Sequence, residues 1–160
     1  MGSIRAGGAL LAVRDLKSSL EFYQRVLGLE VAADHDTKVV LTGGLTLQTL
    51  DTWADALGMR GEDLSFGGHA GAAALVTKDF DTLLETLEKQ GVALVRPSRE
   101  RRWGQRVVRL YDPDRHIVEV EESLSVVARR FLDSGLDEAG VARRMGVPPE
   151  MVRAWLRERL

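Results

Sequence analysis

The chain contains two copies of one pattern. Residues 73–79, Ala-Ala-Leu-Val-Thr-Lys-Asp, repeat residues 9–15, Ala-Leu-Leu-Ala-Val-Arg-Asp, at an offset of 64, with Leu75 on Leu11 and Asp79 on Asp15. An internal repeat constrains a fold more than any local propensity, because it implies two like supersecondary units packed on each other. In each copy a short aliphatic run reads as a buried strand, and the aspartate after it sits where a helix N-cap accepts orphan N–H groups. Leu16, Leu20, Tyr23 and Leu27 then recur at helical spacing, as do Phe80, Leu83, Leu84 and Leu87, and Gly28 and Gly91 close the two helices. Three β-like runs follow each helix, over 29–33, 38–42 and 45–50 in the first copy and 92–95, 105–111 and 117–121 in the second. Residues 52–60 read as a short helix or ordered loop, and 61–68 and the arginine-rich 96–103 as loops. The pattern predicts two β-α-β-β-β units over 8–50 and 71–121. Each buries one sheet face on its helix and leaves the other to curve around a cavity.

The second copy ends on a turn, Asp112-Pro113-Asp114, between two β-rich runs. Proline sets φ for the turn and the flanking aspartates accept backbone N–H groups, so a hairpin is expected. Its second strand carries one carboxylate, Glu119, between Val118 and Val120.

Composition narrows the chemistry. There is no cysteine, which excludes disulfides, thiolate nucleophiles and Cys-type zinc sites. With only His35, His69 and His116, any metal site would lean on carboxylates. The formal charge of −2 gives no general reason to expect nucleic acid as a partner, and no leader or long apolar span is visible. A cytoplasmic location is the expectation. Charge is uneven, however: residues 1–122 carry 15 Lys/Arg against 19 Asp/Glu, and residues 123–160 carry 7 against 5.

The duplicated pattern, the Val13-x-Asp15…Phe22-Tyr23…Leu27-Gly28-Leu29 run and the Asp112-Pro113-Asp114…Glu119 ending together resemble the vicinal-oxygen-chelate superfamily. Its members include glyoxalase I, extradiol dioxygenases, methylmalonyl-CoA epimerase and the fosfomycin- and bleomycin-resistance proteins. The resemblance spans about residues 8–122 and implies a cup-shaped sheet shared by the two repeats. In the superfamily's enzymes a divalent metal sits in that cup, held by two histidines, or a histidine and a glutamate, and by a final glutamate. Carried over, the final glutamate is Glu119. The first-strand positions, seven before Asp15 and Asp79, are Gly8 and Ala72, and the fourth-strand position is Gln48. Neither Gly8 nor Ala72 can ligate, and His69 lies three residues from the required place, on the wrong face of a strand.

The same comparison puts Gln105, Val107 and Arg109 on the cup side. A lone buried charge is costly, so Arg109 is expected to pair with Glu119. Trp103 and Trp53 are candidates for the cup rim, and Arg96, Arg99, Arg101 and Arg102 for a basic loop beside it. The candidate ligand-binding residues are therefore Glu119, Arg109, Gln105, Val107, Gln48 and Trp103. No catalytic residue is assigned, and Glu119 is the one residue that would serve a metal. His116 is expected to stabilise the turn. Arg115 stands where the superfamily commonly has glycine, which costs about 1 kcal/mol if φ is positive.

From Ser123 onward only helical patterns remain: one ending near Gly135, a second over 138–145, and a third over 149–159 after Pro148. Ala142, Gly146, Val152 and Trp155-Leu156 fall at spacings that resemble a helix-turn-helix. DNA binding would follow from that motif, yet the third helix begins Pro149-Glu150-Met151, which offers no donor to base edges.

The expected fold class is α+β, with two tandem βαβββ modules forming a cup-shaped sheet, plus a C-terminal bundle of about three helices. The vicinal-oxygen-chelate domain would cover 1–122 and the helical extension 123–160. The expected function is binding of a small organic, anionic molecule in the cup, without cofactor and as a homodimer. The alternatives are a divalent-metal-dependent lyase or dioxygenase of the same superfamily, and a ligand-sensing DNA-binding regulator.

Overall fold

A computed structural model describes residues 2–158. The first copy folds as β1 (Ala9–Val13), α1 (Leu16–Arg25), β2 (Val31–Asp34), β3 (Lys38–Leu41) and β4 (Leu45–Thr49). A short helix α2 (Leu50–Leu57) and one 3-10 turn (Gly61–Asp63) lead to the second copy. That copy folds as β5 (Ala73–Thr77), α3 (Phe80–Lys89), β6 (Leu94–Glu100), β7 (Arg106–Tyr111) and β8 (Ile117–Glu122). Three helices close the chain, α4 (Leu124–Asp133), α5 (Glu138–Met145) and α6 (Pro149–Arg157). The predicted last residue of the third helix, 159, lies outside the described residues. Among the described residues no helix is long and apolar enough to cross a membrane.

The repeat is visible down to its caps. Asp15 accepts the Ser18 N–H at 3.0 Å, and Asp79 accepts the Thr82 N–H at 3.0 Å. The two sheets have the same order, β1-β4-β3-β2 and β5-β8-β7-β6, with the first and last strand of each copy parallel and the others antiparallel. As expected of two tandem modules, the strands form two four-stranded sheets, because each copy pairs its last strand with its own first strand. The predicted loop 96–103, by contrast, shrinks. Residues up to Glu100 belong to β6, an edge strand whose charged side chains suit a sheet border and whose two register shifts bend it.

A shared core joins the copies. Val13, Tyr23, Leu41 and Leu47 from the first pack with Phe80, Leu87, Val108, Leu110, Val118 and Val120 from the second in one cluster. Burying a side chain of this size stabilises by roughly 1.5–3 kcal/mol. Polar contacts on the Asp112-Pro113-Asp114 turn fix the seam. Asp112 Oδ1 accepts the backbone N–H groups of Asp114 and His116 at 2.9 and 2.8 Å, which shapes the turn. Its Oδ2 accepts the buried Tyr23 hydroxyl at 2.8 Å. Asp114 faces the Arg14 N–H and guanidinium at 3.3 Å, and His116 Nε2 bonds the Ala12 carbonyl at 2.7 Å. Burial, together with the Asp112 carboxylate, pushes the Tyr23 hydroxyl well above its ordinary pKa, and burial also raises Asp112. Arg115 does adopt a positive φ of 68°, and its guanidinium lies 3.7 Å over the Tyr111 ring, a contact that offsets the strain.

The C-terminal helices have a core of their own, built on Val127, Ala128, Val141, Ala142, Met145 and Val152. Asp137 caps α5 on the Gly140 N–H at 2.7 Å, and Gly146 turns the chain in the left-handed region (φ 69°) before α6. One carboxylate ties this unit to the sheet. Glu122, fully buried at the end of β8, accepts Arg106 Nη2 at 2.9 Å and Arg130 Nη2 of α4 at 2.9 Å. Burial opposes its charge, but the Arg106 bonds and the Arg130 and Arg106 charges outweigh this and hold its pKa below the usual carboxylate range.

Two stability predictions follow from the seam and the anchor. Tyr23→Phe deletes one buried bond and is expected to lower the unfolding free energy by about 1–2 kcal/mol in a urea titration, with an unchanged circular dichroism spectrum. Glu122→Gln removes the buried anion that Arg106 and Arg130 share, leaving Arg106 only the exposed Asp81, and is expected to cost about 3 kcal/mol at neutral pH. Because the folded-state pKa of Glu122 is depressed, its contribution is complete at neutral pH and is lost as pH falls through the folded value. The wild type should therefore lose more stability than the variant between pH 7 and strong acid, and parallel pH profiles would contradict this assignment.

Candidate functional site

Register builds the site. Val107 lies opposite Glu121, Arg109 opposite Glu119 and Tyr111 opposite Ile117. Strand alternation sends Val108, Leu110, Val118 and Val120 into the core, so Val107, Arg109, Glu119 and Glu121 stand on the other face. There Arg109 Nε donates to Glu119 Oε2 at 2.6 Å, the pair that the sequence predicted. The other oxygen of Glu119 accepts Arg101 Nη2 at 3.0 Å. Arg101 Nη1 reaches Glu121 Oε1 at 2.5 Å and Gln105 Oε1 at 3.0 Å. Gln105 is buried. Its oxygen also accepts Trp103 Nε1 at 3.0 Å, and its Nε2 donates to the Glu122 carbonyl at 2.8 Å.

The face thus carries an alternating chain, Arg109–Glu119–Arg101–Glu121, braced at one end by Gln105 and Trp103. Side-chain exposures of 18% for Glu119 and 35% for Arg109 leave it reachable from solvent. Burial works against the Glu119 charge, but the hydrogen bonds and charges around it, those of Arg109 and Arg101 among them, outweigh it, and its pKa lies below the usual range. The edge strand β6 adds more cations. Arg96 pairs in register with Arg109 and Arg99 with Val107, with a register shift between them. That shift brings two arginines three residues apart onto one face, where an unbroken strand would separate them. Both are exposed, and neither makes an ion pair among the described residues.

Sequence reasoning placed Arg101 in the basic loop beside the cup but missed its bonds to Glu119 and Glu121. The available signal was charge counting: Glu119 and Glu121 share a face, Arg109 stands opposite only the first, and the second needs a cation from elsewhere. The other sequence candidates are distributed as follows. Val107 is buried beneath the chain, between Glu121 and Arg99. Gln48 sits on the corresponding face of the first sheet, beside Ala12 and Lys38, and its amide bonds Thr52 Oγ1 at 3.3 Å within its own module. Trp103 lines a cleft against α5, with Arg102 on its own loop. The structure therefore brings Glu119, Arg109, Gln105 and Val107 together and leaves Gln48 apart.

The superfamily's metal can be tested against these residues. Gly8 has a φ of 110°, and a Cβ built on it would meet the Gly44 carbonyl oxygen at 1.9 Å, so this position is closed to any ligating side chain. Ala72 offers no donor. Both Glu119 oxygens are bonded to guanidiniums, and His69 Nε2 is engaged with the Tyr111 hydroxyl at 3.0 Å. Among the described residues no group of three or more His, Asp or Glu side chains is disposed to hold a metal ion. The donor set does not fit the metal.

Comparison with known proteins agrees with the fold. The chain is 28% identical over 123 residues to the uncharacterized protein YraH of Bacillus subtilis (strain 168), covering 71% of this chain and 94% of YraH. Among solved structures it resembles a protein of unknown function from Agrobacterium tumefaciens str. C58, at 28% identity and a TM-score of 0.67, covering 77% of this chain and 97% of that one. A member of the glyoxalase/bleomycin resistance protein/dioxygenase superfamily from Sphaerobacter thermophilus DSM 20745 superposes with a TM-score of 0.58 at 26% identity, covering 76% and 98%. The profile of the glyoxalase-like domain matches residues 7–125, which span both repeats and stop inside α4. The chain belongs to the glyoxalase-like domain family, within the vicinal-oxygen-chelate superfamily.

Proposed function

We propose that this glyoxalase-like protein binds a small organic anion on the arginine-bearing face of its second module, and that it does so without the divalent metal of the superfamily's enzymes. The observation that carries the reading is the state of Glu119. Both of its oxygens are bonded to arginines, while the first-strand positions hold Gly8 and Ala72 and the fourth-strand position falls near Gln48, with Thr46 opposite Leu10 as Glu119 is opposite Ala74. A cation admitted there would have to displace two guanidiniums from their carboxylate, and one carboxylate with one amide is a poor replacement set. An anion instead meets Arg96 and Arg99 beside Arg109, and guanidinium forks match a carboxylate or phosphate in a bidentate way. DNA binding has less support, because α6 opens on Pro149, Glu150 and Met151, where phosphates and base edges need donors.

Two measurements test this. Protein purified without chelators is expected to carry far less than one equivalent of nickel, iron, manganese or zinc, and to show no rise in Tm when these are added. Stoichiometric retention of any of them would overturn the metal-free reading. In a thermal-shift screen, small organic carboxylates are expected to raise Tm in the wild type. Arg99→Glu and Arg109→Ala should each weaken the most effective of them by about tenfold or more. Equal stabilisation of the variants would remove the cup face as the site.

A further inference from the structure

The C-terminal helices meet the second module at another cleft, about 440 Å³ in volume, lined by Arg102, Trp103, Arg143, Arg144, Met145 and Gly146. Three of these six residues are arginines and none is acidic, in a chain whose formal charge is −2. The walls are fixed from several sides. Arg130 Nη2 donates to the Gly104 carbonyl at 2.7 Å, and Arg144 Nη1 donates to the Arg102 carbonyl. Gly104 has a φ of 87°, and the Phe131 ring of α4 occupies the place where a Cβ would sit, 2.3 Å away. The same ring carries the Arg144 guanidinium 5.1 Å from its centroid. Any other residue at 104 would push this loop off the helices.

Trp103 is held as firmly. Its indole N–H is bonded to Gln105, which cannot move because it also bonds the β8 backbone, yet the residue remains 36% exposed. Arg102 and Arg143, by contrast, are exposed and make no ion pair among the described residues. A fixed aromatic wall, two uncommitted guanidiniums and an adaptable methionine form a small preorganised pocket.

The geometry points to this cleft as a binding site for a small anion that carries a flat aromatic ring. The ring stacks on Trp103, and the carboxylate or phosphate takes the Arg102 and Arg143 guanidiniums. Neither arginine belongs to the Arg109–Glu119 face, so charge reversal at Arg102 or Arg143 separates this site from the cup site, although Trp103 also braces that face through Gln105.

The test is calorimetric titration of the full chain with 1-naphthoate and with adenosine monophosphate, with acetate and inorganic phosphate as ring-free counterparts. At least one ring-bearing anion is expected to bind with a Kd of about 1 mM or tighter, and about tenfold or more tighter than its counterpart. Which of the two binds distinguishes a carboxylate ligand from a phosphate ligand, and either supports the site. Arg102→Glu and Arg143→Glu alter exposed side chains that make no ion pair among the described residues, so the fold should persist with an unchanged Tm while affinity falls about tenfold or more. Arg99→Glu, on the cup face, should leave this affinity unchanged. No saturable binding, equal affinity for the ring-free anions, or loss of binding in Arg99→Glu but not in Arg143→Glu would overturn the proposal. The last outcome would place the ligand on the cup face instead.

Discussion

The carboxylate of Asp112 is the point on which the architecture depends. One of its oxygens gathers the N–H groups of Asp114 and His116 and so closes the β7–β8 hairpin. The other receives Tyr23 from the helix of the opposite repeat. A single side chain therefore sets a local register and a long-range seam together. The register matters for chemistry, since Arg109 faces Glu119 only if the turn between their strands has this length. The seam matters for packing, since Tyr23 lies in the apolar cluster that both repeats share. Burial raises the Asp112 pKa, while its bonds with Tyr23, His116 and Asp114 act in the other direction. Those donors are what keep the arrangement affordable in a low-dielectric interior.

Much of this was legible in the sequence because it rests on periodicity and on position-specific turn chemistry. The offset of 64 implied two like units, and Asp15 and Asp79 announced their helices by capping. The Arg109–Glu119 pair followed from strand alternation and from the cost of a lone buried charge. What stayed hidden depends on bulges and on contacts distant in sequence. The segment 96–103 reads as a polar loop because four arginines hide its β character, and only the register shifts of β6 place Arg96 and Arg99 on one face. Arg101 reaches Glu119 and Glu121 across 18 and 20 residues, a contact with no periodic signature.

The positions that hold metal in the superfamily's enzymes meet two physical obstacles in this chain. At Gly8 the obstacle is steric as well as chemical, because the backbone of Gly44 approaches so closely that no side chain fits. At Glu119 the obstacle is electrostatic. A carboxylate left without its cation in a partly buried sheet would be costly, and Arg109 and Arg101 supply the missing positive charge. The same arrangement extends to Glu121 through the second arm of Arg101. Guanidinium charge holds Glu119 in place on this face, and Arg96 and Arg99 are additional cations at the sheet border.

The helices beyond residue 125, where the family profile ends, are joined to this face by bonds that share its residues. The amide oxygen of Gln105 accepts from both Arg101 and Trp103, and its amide nitrogen donates to the backbone carbonyl of Glu122. The carboxylate of Glu122 then binds Arg130 of α4, which also holds the Gly104 carbonyl. From Glu119 to α4 there is no gap in hydrogen bonding, and the loop at 101–104 is clamped at both ends. Arg130 and Phe131 of α4 and Arg144 of α5 all contact that loop, and its Arg101 shares the Glu119 carboxylate with Arg109.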